Sequence, residues 1–362
     1  MERTDFFMLK RIDLLKSKLK EDEIDALLVT DPANLIYLCG YTGSNGMLLV
    51  RNNQSKPIFY TDFRYKEQIK KEVKGCKTKI GDRNLFADFP AIDLKGIKKL
   101  GFESSNLSFG NYSKIKKQQK TKVKIMPTNN VVENQRITKD TAEIEKIRKA
   151  VAITDKTFMS VLKIIKPKIT EKDLATEIDY QFKKEDDIAF PTIVAFGERG
   201  ALPHAQPTNT KLKLGDTIVF DMGAKYQSYC SDMTRTVVMG KASKKIKEIY
   251  DIVFTAQKLA LENIAQGKPA VEIDGYARNY IKDKGYGENF GHSLGHGIGL
   301  MVHELPTLAS KSKDILKVNE VFSVEPGIYL SAEFGVRIED LVRVKENGCE
   351  ILTRSPKELI EL

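Results

Sequence analysis

The chain has 362 residues, of which 41% are hydrophobic and 30% charged, so it is long enough for two domains with substantial cores. It has no apolar run of about eighteen residues and begins without a signal-peptide pattern, so we expect no transmembrane helix and no membrane partner. The net charge of +10 comes from scattered lysines without any nucleic-acid-binding motif, which favours a role in solubility and argues against a nucleic-acid partner.

The four cysteines are far apart in the sequence and form no CxxC pair. Such spacing suits reduced thiols rather than a disulfide framework. We therefore expect a cytoplasmic location.

The first third of the chain alternates helix and strand patterns. Residues 4–20 are predicted to form an amphipathic helix, 25–31 and 35–41 two short strands separated at Pro32, and 47–50 and 57–62 the strands of a hairpin. Further alternating candidates continue to residue 126. We predict a smaller α/β domain over 1–127, which ends at the turn-forming cluster PTNN at 127–130.

The remainder of the chain, 131–362, is predicted to be an α+β domain. Helices are indicated at 141–165, 171–184 and 244–266, and strand pairs alternate with them. One of these strand pairs holds two unusual acids.

Asp221 and Asp232 each lie in or beside a strand pattern, at 217–221 and 231–239, joined by a polar connection. Aspartate is depleted in strands because burial of its charge is unfavourable. Acids opposed across a hairpin repel each other unless a cation lies between them. A chance pair of surface acids explains this hairpin equally well when it is considered alone.

A glycine-rich segment, GHSLGHGIGLMVHELP at 291–306, contains three of the four histidines: His292, His296 and His303. The first two have the i, i+4 spacing of a zinc-protease helix, but Ser293 occupies the glutamate position and the glycines disfavour a helix. We expect extended or loop backbone that approaches another segment closely.

Two later strand patterns each deliver an acid. NEVFSVEPGIYL at 319–330 places Glu325 before a proline, and FGVRIEDLVRV at 334–344 places Arg337 and Glu339 on one face by their spacing of two. Each of these residues has an ordinary structural explanation when taken singly.

Together, two aspartates, two glutamates and one histidine exceed what a tetrahedral zinc site requires, and carboxylates can bridge ions. We therefore predict two divalent ions, with manganese, cobalt, iron or zinc all compatible with mostly oxygen donors and one imidazole. Arg337 is expected to orient a bridging carboxylate, and His303 and His204 to donate to the oxygen that becomes negative during the reaction.

Five segments in order resemble the metal-binding motifs of the creatinase/aminopeptidase P family of metallopeptidases: DMGA at 221–224, SDMTRT at 231–236, GHGIG at 295–299 with HELP at 303–306, SVEPGIY at 323–329 and VRIED at 336–340. The resemblance implies a pita-bread catalytic fold over 131–362. YTGSNGMLLV at 41–50 and FYTDFRY at 59–65 resemble the family's smaller N-terminal domain, which is of the creatinase/prolidase, RNase H-like type.

Carried over by position, the resemblance implies five metal ligands: Asp221, Asp232, His296, Glu325 and Glu339. Asp232 and Glu339 match the bridging pair, and Glu325 also matches the general base. His204, His303 and Arg337 match the residues that position the peptide and stabilise the intermediate, and His292 matches a further histidine that lines the site and contacts substrate.

The resemblance implies a cytoplasmic homodimeric Xaa-Pro aminopeptidase that hydrolyses the first bond of proline-containing peptides through a metal-bridged hydroxide, with manganese as the first expectation for both ions. An Xaa-Pro dipeptidase (prolidase) is the second expectation. A third possibility, from another class, is a non-catalytic peptide- or nucleic-acid-binding module on the same fold, although every ligand position is retained.

Overall fold

The computed structural model describes residues 3–86, 94–118 and 122–362, and the chain forms two compact units of residues 1–136 and 137–362. Over the described part of the chain, no helix combines the length and the apolar character needed to span a lipid bilayer. Each unit has its own hydrophobic core.

The N-terminal unit contains a six-stranded mixed sheet within the described ranges, in the order β4-β3-β2-β1-β5-β6. Strands β1, β2 and β3 are antiparallel neighbours, whereas β4, β5 and β6 join by parallel pairing. The strands are β1 Ala26–Val29, β2 Gly46–Arg51, β3 Ile58–Asp62, β4 Lys77–Gly81, β5 Lys99–Glu103 and β6 Lys124–Thr128. The helices are α1 Arg3–Glu21, α2 Pro32–Cys39, α3 Lys66–Glu72, α4 Phe109–Gln118 and α5 Glu133–Arg136.

Helix α2 corrects the strand that the sequence predicted over 35–41. The Asp31 side chain accepts a hydrogen bond from the Asn34 amide, and Pro32 occupies the first turn, where its missing N–H costs nothing. Gly40 ends the helix in the left-handed region, at φ 80°, and its N–H bonds to the Ile36 carbonyl. These start and stop signals outweigh the strand-like composition of the segment. The predicted hairpin of 47–50 and 57–62 is confirmed by the pairing of β2 with β3.

The C-terminal unit combines four helices with short strands. The helices are α6 Thr141–Val161, α7 Glu171–Glu185, α8 Lys244–Asn263 and α9 Ala270–Asp283. The strands are β7 Asp187–Ile188, β8 Ile193–Phe196, β9 Thr217–Met222, β10 Ala224–Tyr226, β11 Tyr229–Cys230, β12 Met233–Val238, β13 Gly295–Gly297, β14 Glu304–Leu308, β15 Val321–Val324, β16 Gly327–Leu330, β17 Phe334–Arg337, β18 Asp340–Val344 and β19 Cys349–Ile351.

These strands form four sheets in the orders β11-β10-β7, β12-β9-β8, β14-β13-β15-β18-β19 and β16-β17. One hydrophobic cluster joins α6 and α7 to β8, β9 and β12, and a second joins α8 and α9 to the strands β15–β18. Each fully buried Val, Leu or Ile in these clusters contributes about 1.5–3 kcal/mol to the free energy of unfolding. In each half of the unit, a pair of helices therefore packs against the strands.

Local side-chain contacts begin the predicted helices. Asp140 and Glu143 form a reciprocal capping box at the start of α6, and Thr170 and Asp173 form another at α7. Ser243 caps α8. The sequence did not predict α9, which follows Pro269.

Glu320, at the approach to β15, is 2% exposed, and its Oε2 accepts no hydrogen bond from the residues that the structure describes. Burial raises the pKa of this carboxyl to about 7, with Asp314 adding to the rise and Lys317 and Lys139 opposing it. Because the pKa is raised on folding, Glu320 destabilises the folded state progressively as the pH rises from about 4.5 through 7.

We expect Glu320→Gln to be more stable than the parent chain at pH 8 by about 2 kcal/mol and nearly equal to it at about pH 4, because the amide carries no charge to bury. Urea unfolding at both pH values measures this difference. Glu346→Gln, at an exposed position, is the control for the change of net charge. A stability difference that is the same at both pH values would contradict the prediction.

Candidate metal centre

The antiparallel pair β9 and β12 presents the first two candidate ligands. Its register places Asp221 opposite Thr234, and Asp232 lies two residues before Thr234. The predicted pairing of the two acids is therefore diagonal rather than direct. Because side chains two residues apart share a face of a strand, all three point to the same side. The connection between the two strands contains β10 and β11, joined at Gln227 and Ser228, which both adopt positive φ as a tight hairpin requires.

His296 lies in the three-residue strand β13, which confirms the expected extended backbone in place of a helix. A side chain at Gly295 would place its Cβ 1.9 Å from the Ser323 carbonyl oxygen, and one at Gly297 would lie 2.1 Å from the Leu305 carbonyl oxygen. Only glycine allows this approach. The glycines around His296 thus let β13 lie between β14 and β15 and deliver the imidazole beside the acids.

Glu325 and Glu339 occupy breaks between strands rather than strand interiors. Glu325 follows β15 and precedes Pro326, and Glu339 lies between β17 and β18. Gln257 of α8 is buried and donates from Nε2 to the carbonyl oxygens of Val324 and Ile338, at 3.0 and 3.2 Å. This single amide therefore fixes the backbone immediately before both glutamates.

The structure brings the sequence-predicted ligands together. One side-chain ligand atom from each of Asp232, His296 and Glu339 lies within 4.8 Å of the others. His296 Nε2 is 3.7 Å from Asp232 Oδ2 and 3.3 Å from Glu325 Oε1. Asp221 is not one of these three residues, but its charge acts on the pKa values of both Asp232 and Glu339.

Arg337 ties Asp221 to Glu339. Its guanidinium donates to Asp221 Oδ2 at 2.6 Å and to Thr234 Oγ1 at 2.9 Å, and Thr234 Oγ1 donates to Glu339 Oε2 at 2.7 Å. The sequence placed Arg337 directly beside Glu339, but the strand break intervenes and the contact passes through the threonine. Thr234 is thus the link between two candidate ligands, and we infer that it sets the orientation of Glu339.

The acids have strongly shifted pKa values. Burial, followed by the charges of Glu339 and Asp221, raises the pKa of Asp232 well above its ordinary value. Burial and the neighbouring acids Glu325 and Asp221 raise the pKa of Glu339 to about 8. Burial also opposes ionisation of Glu325, yet the contact with His296 holds its pKa below the ordinary value. A divalent cation among these groups would favour the ionised carboxylates and reverse the rises.

Two observations show that the residues fit a divalent ion. Asp232 Oδ1 and Glu339 Oε1 are buried and accept no hydrogen bond from any residue in the described ranges. A buried carboxylate oxygen without a partner is costly, and a metal ion is the partner that would remove this cost. His296 Nδ1 lies 3.1 Å from the Gly297 carbonyl, which fixes a proton on Nδ1 and directs Nε2 at the acids. Against the effect of burial, the contacts with Glu325 and Glu339 raise the pKa of His296 to about 9, so a bound ion would take the place of the proton on Nε2.

The other three histidines surround this cluster. The rings of His303 and His296 lie 4.3 Å apart, and His303 is exposed. Exposed His204 lies close enough to affect the pKa values of Asp221 and His303. His292 Nε2 accepts from the Tyr329 hydroxyl at 2.8 Å, and that hydroxyl accepts from Arg337 at 2.9 Å. His292 therefore connects to Arg337 through a tyrosine.

Sequence reasoning missed three residues that hold this site: Thr234, Gln257 and Tyr329. Thr234 had a usable signal, because it shares a strand face with Asp232 by period two. Gln257 and Tyr329 act across 67 and 37 positions, on Val324 and His292 respectively. No local pattern indicates such contacts.

Family models match almost the whole chain. One described as metallopeptidase family M24 matches residues 145–346, and one described as the creatinase/prolidase N-terminal domain matches residues 11–138. The chain belongs to metallopeptidase family M24. Enzymes of this family depend on divalent metal ions, which agrees with the buried donor set.

The individual relatives described next are all named as proline-directed peptidases. An Xaa-Pro dipeptidase of Pyrococcus horikoshii is 38% identical over 358 residues, covering 96% of this chain and 100% of the relative. The structure of an Xaa-Pro dipeptidase from Bacillus anthracis is 39% identical with a TM-score of 0.94, covering 98% and 100% of the two chains. An X-Pro aminopeptidase from Thermotoga maritima is 38% identical with a TM-score of 0.87, covering 94% and 98%.

These comparisons confirm the expected family and the expected fold class, a pita-bread catalytic domain preceded by a creatinase/prolidase-type domain. They also change the order of the two expected activities. The dipeptidase, placed second from the sequence, has better support than the aminopeptidase, placed first.

We expect Thr234→Val to weaken manganese binding by roughly 10- to 100-fold, because the isosteric side chain cannot donate to Glu339 or accept from Arg337. Calorimetric titration of the purified protein with Mn²⁺ measures the affinity. Thr234→Ser retains the hydroxyl and should bind within about threefold of the parent chain. Equal losses in the valine and serine variants would show that the methyl group, and not the hydrogen-bonded link, matters at this position.

Proposed function

We propose that this chain is an Xaa-Pro dipeptidase that uses two divalent ions, with manganese as the first expectation. The observation that carries the proposal is the 38% identity, along the full length of the relative, to an enzyme named Xaa-Pro dipeptidase. Buried Asp232 Oδ1 and Glu339 Oε1, which accept no hydrogen bond from the described residues, support the metal requirement.

We assign the ions to five ligands: Asp221, Asp232, His296, Glu325 and Glu339. When bound, such ions act as Lewis acids toward the peptide carbonyl and lower the pKa of a water molecule in the site. Asp232 and Glu339 would be the ligands shared by the two ions, as the family resemblance implies, and each has one buried oxygen that accepts no hydrogen bond from any residue in the described segments.

We assign proton transfer, stabilisation of the carbonyl oxygen and substrate binding to the remaining residues of the site. Glu325 would accept the proton of the attacking water and pass it to the leaving proline nitrogen. His303 and His204, both exposed beside the acids, would donate hydrogen bonds to the carbonyl oxygen as it becomes negative. We assign His292 and Arg337 to the substrate contacts that the family resemblance implies.

The substrate class has a physical basis. The amide before proline has no N–H, so peptidases that recognise that hydrogen handle the bond poorly. An enzyme that binds the carbonyl oxygen and protonates the leaving nitrogen does not need that amide hydrogen. A proline-directed peptidase therefore needs this kind of oxygen-centred recognition.

An Xaa-Pro aminopeptidase is the second candidate function. The observation that favours it is the similarity to the Thermotoga maritima X-Pro aminopeptidase, whose structure matches with a TM-score of 0.87. Both activities use the same ligands and differ in whether residues after proline are accepted.

The homodimer and the cytoplasmic location that the sequence suggested stay predictions. Analytical ultracentrifugation of the purified protein tests the first of them.

We expect Mn²⁺-supplemented protein to hydrolyse Leu-Pro at least about tenfold faster than Leu-Pro-Gly, with Leu-Ala cleaved slowly if at all. A chelator should abolish hydrolysis of both proline peptides, and readded Mn²⁺ should restore it, because the cation is needed to polarise the carbonyl and to activate the water. Liberated leucine is measured under identical conditions for the three peptides.

Equal or faster cleavage of the tripeptide would establish the aminopeptidase and overturn the dipeptidase. Protein that binds Mn²⁺ but cleaves neither proline peptide would contradict the proposed function altogether.

A further inference from the structure

The segment between β8 and Thr208 carries His204, and a single buried carboxylate holds both of its ends. Glu171 is 0% exposed and is the first residue of α7. Its Oε1 accepts from the Phe196 amide at 2.9 Å, and its Oε2 accepts from the Thr208 amide at 2.8 Å and from Thr208 Oγ1 at 2.7 Å. We name residues 197–208 the His204 loop.

Arg199 connects the same carboxylate to the far side of the loop. Its Nε donates to both oxygens of Glu171, each at 3.0 Å, and its Nη2 donates to the Gln206 carbonyl at 2.7 Å. The loop is therefore tied at its start, at its end and across its middle. These hydrogen bonds are charge-assisted and centre on a buried carboxylate, so they hold the loop rigidly.

The tied loop rests on the strand that carries Arg337. The Pro203 carbonyl accepts from Arg337 Nη1 at 3.3 Å. Gly200 and Gly335 are in such close contact that a Cβ on Gly335 would lie 1.9 Å from the Gly200 carbonyl oxygen. The residue before His204 is thus fixed against the arginine that binds Asp221, while His204 itself stays exposed.

We propose that Glu171, with Arg199 and Thr208, is a positioning group that holds the His204 loop so that the imidazole faces the metal centre. Glu171 hydrogen-bonds to Phe196, Arg199 and Thr208, none of which is a candidate ligand, so its effect on the reaction would pass through His204. The inference deepens the proposed function, on which it rests for the role of His204 in binding the peptide.

A purely structural role is the competing explanation, because Glu171 also begins α7. The two explanations differ in one respect. A positioning role couples Glu171 and Thr208 to His204, whereas a structural role lowers stability and activity regardless of which residue occupies position 204. A double-mutant cycle measures this coupling directly.

The test uses Thr208→Val, which removes the hydroxyl at nearly constant volume, and Thr208→Ser, which keeps it. Glu171→Gln is the second variant that removes part of the network. Hydrolysis of Leu-Pro is measured for each variant, both alone and combined with His204→Ala, in full-length Mn²⁺-loaded protein. Thermal unfolding is recorded for every variant.

We expect Thr208→Val and Glu171→Gln to lower kcat/KM roughly tenfold in the parent background, because a small displacement of a substrate-contacting group is costly. In the His204→Ala background the same substitutions should change kcat/KM by less than about twofold. Thr208→Ser should restore most of the parent rate. Equal losses in both backgrounds would overturn the inference and leave Glu171 as a structural residue.

A second readout does not depend on peptidase activity. The chain has four histidines, so the ring resonances of His204 in isotope-labelled, zinc-loaded protein can be assigned from the spectrum of His204→Ala. These resonances should move in Thr208→Val and Glu171→Gln and stay in place in Thr208→Ser, with those of His292 unchanged in all three. An unmoved His204 signal in both network variants would refute the positioning role. If the parent chain hydrolyses no Xaa-Pro peptide, the proposed function fails while this readout still decides the inference.

Discussion

The catalytic unit depends on the electrostatic conflict of acids gathered in its interior. Asp232 and Glu339 are almost completely buried, and each retains a carboxylate oxygen that no residue in the described part of the chain satisfies. Protein groups alone raise the pKa values of both acids, because burial and mutual repulsion disfavour their ionised forms. A divalent cation would resolve this conflict by favouring the ionised carboxylates. The hydrogen bonds around these acids keep them close together despite their repulsion.

Surrounding polar residues fix the acids in position through hydrogen bonds. Thr234 and Arg337 link Glu339 to Asp221, and Gln257 fixes the backbone before both glutamates. Fully buried Arg235 donates to the carbonyl oxygens of Thr234 and Glu339 and to Asp340 Oδ1, and Asp340 is also paired with Lys357. The candidate ligands therefore rest on a second layer of polar contacts, and such a layer would hold a metal site rigid.

Local patterns in the sequence predicted the parts of the structure that depend on local physics. Alternation by two placed Asp232, Glu325 and Glu339 in or beside strands, and glycine spacing excluded a helix at His296. The same reasoning predicted a strand where α2 forms, because capping by Asp31 and Gly40 outweighed a strand-like composition. Contacts such as Glu171 with Thr208, or Thr234 with Glu339, join residues 37 and 105 positions apart. They follow from tertiary packing, so one sequence without that packing gives no sign of them.

The most direct test of this account is the thermal stability of the parent chain and of the Asp232→Asn/Glu339→Gln double variant, each with a chelator and with Mn²⁺. If the acids are arranged for a cation, the chelated double variant should be at least as stable as the chelated parent, because folding of the parent must suppress the ionisation of two buried carboxyl groups and folding of the variant need not. Manganese should then raise the melting temperature of the parent by several degrees and leave that of the variant unchanged. A chelated parent that is clearly more stable than the variant, with no response to Mn²⁺, would show that the protein itself satisfies these acids and would contradict the account.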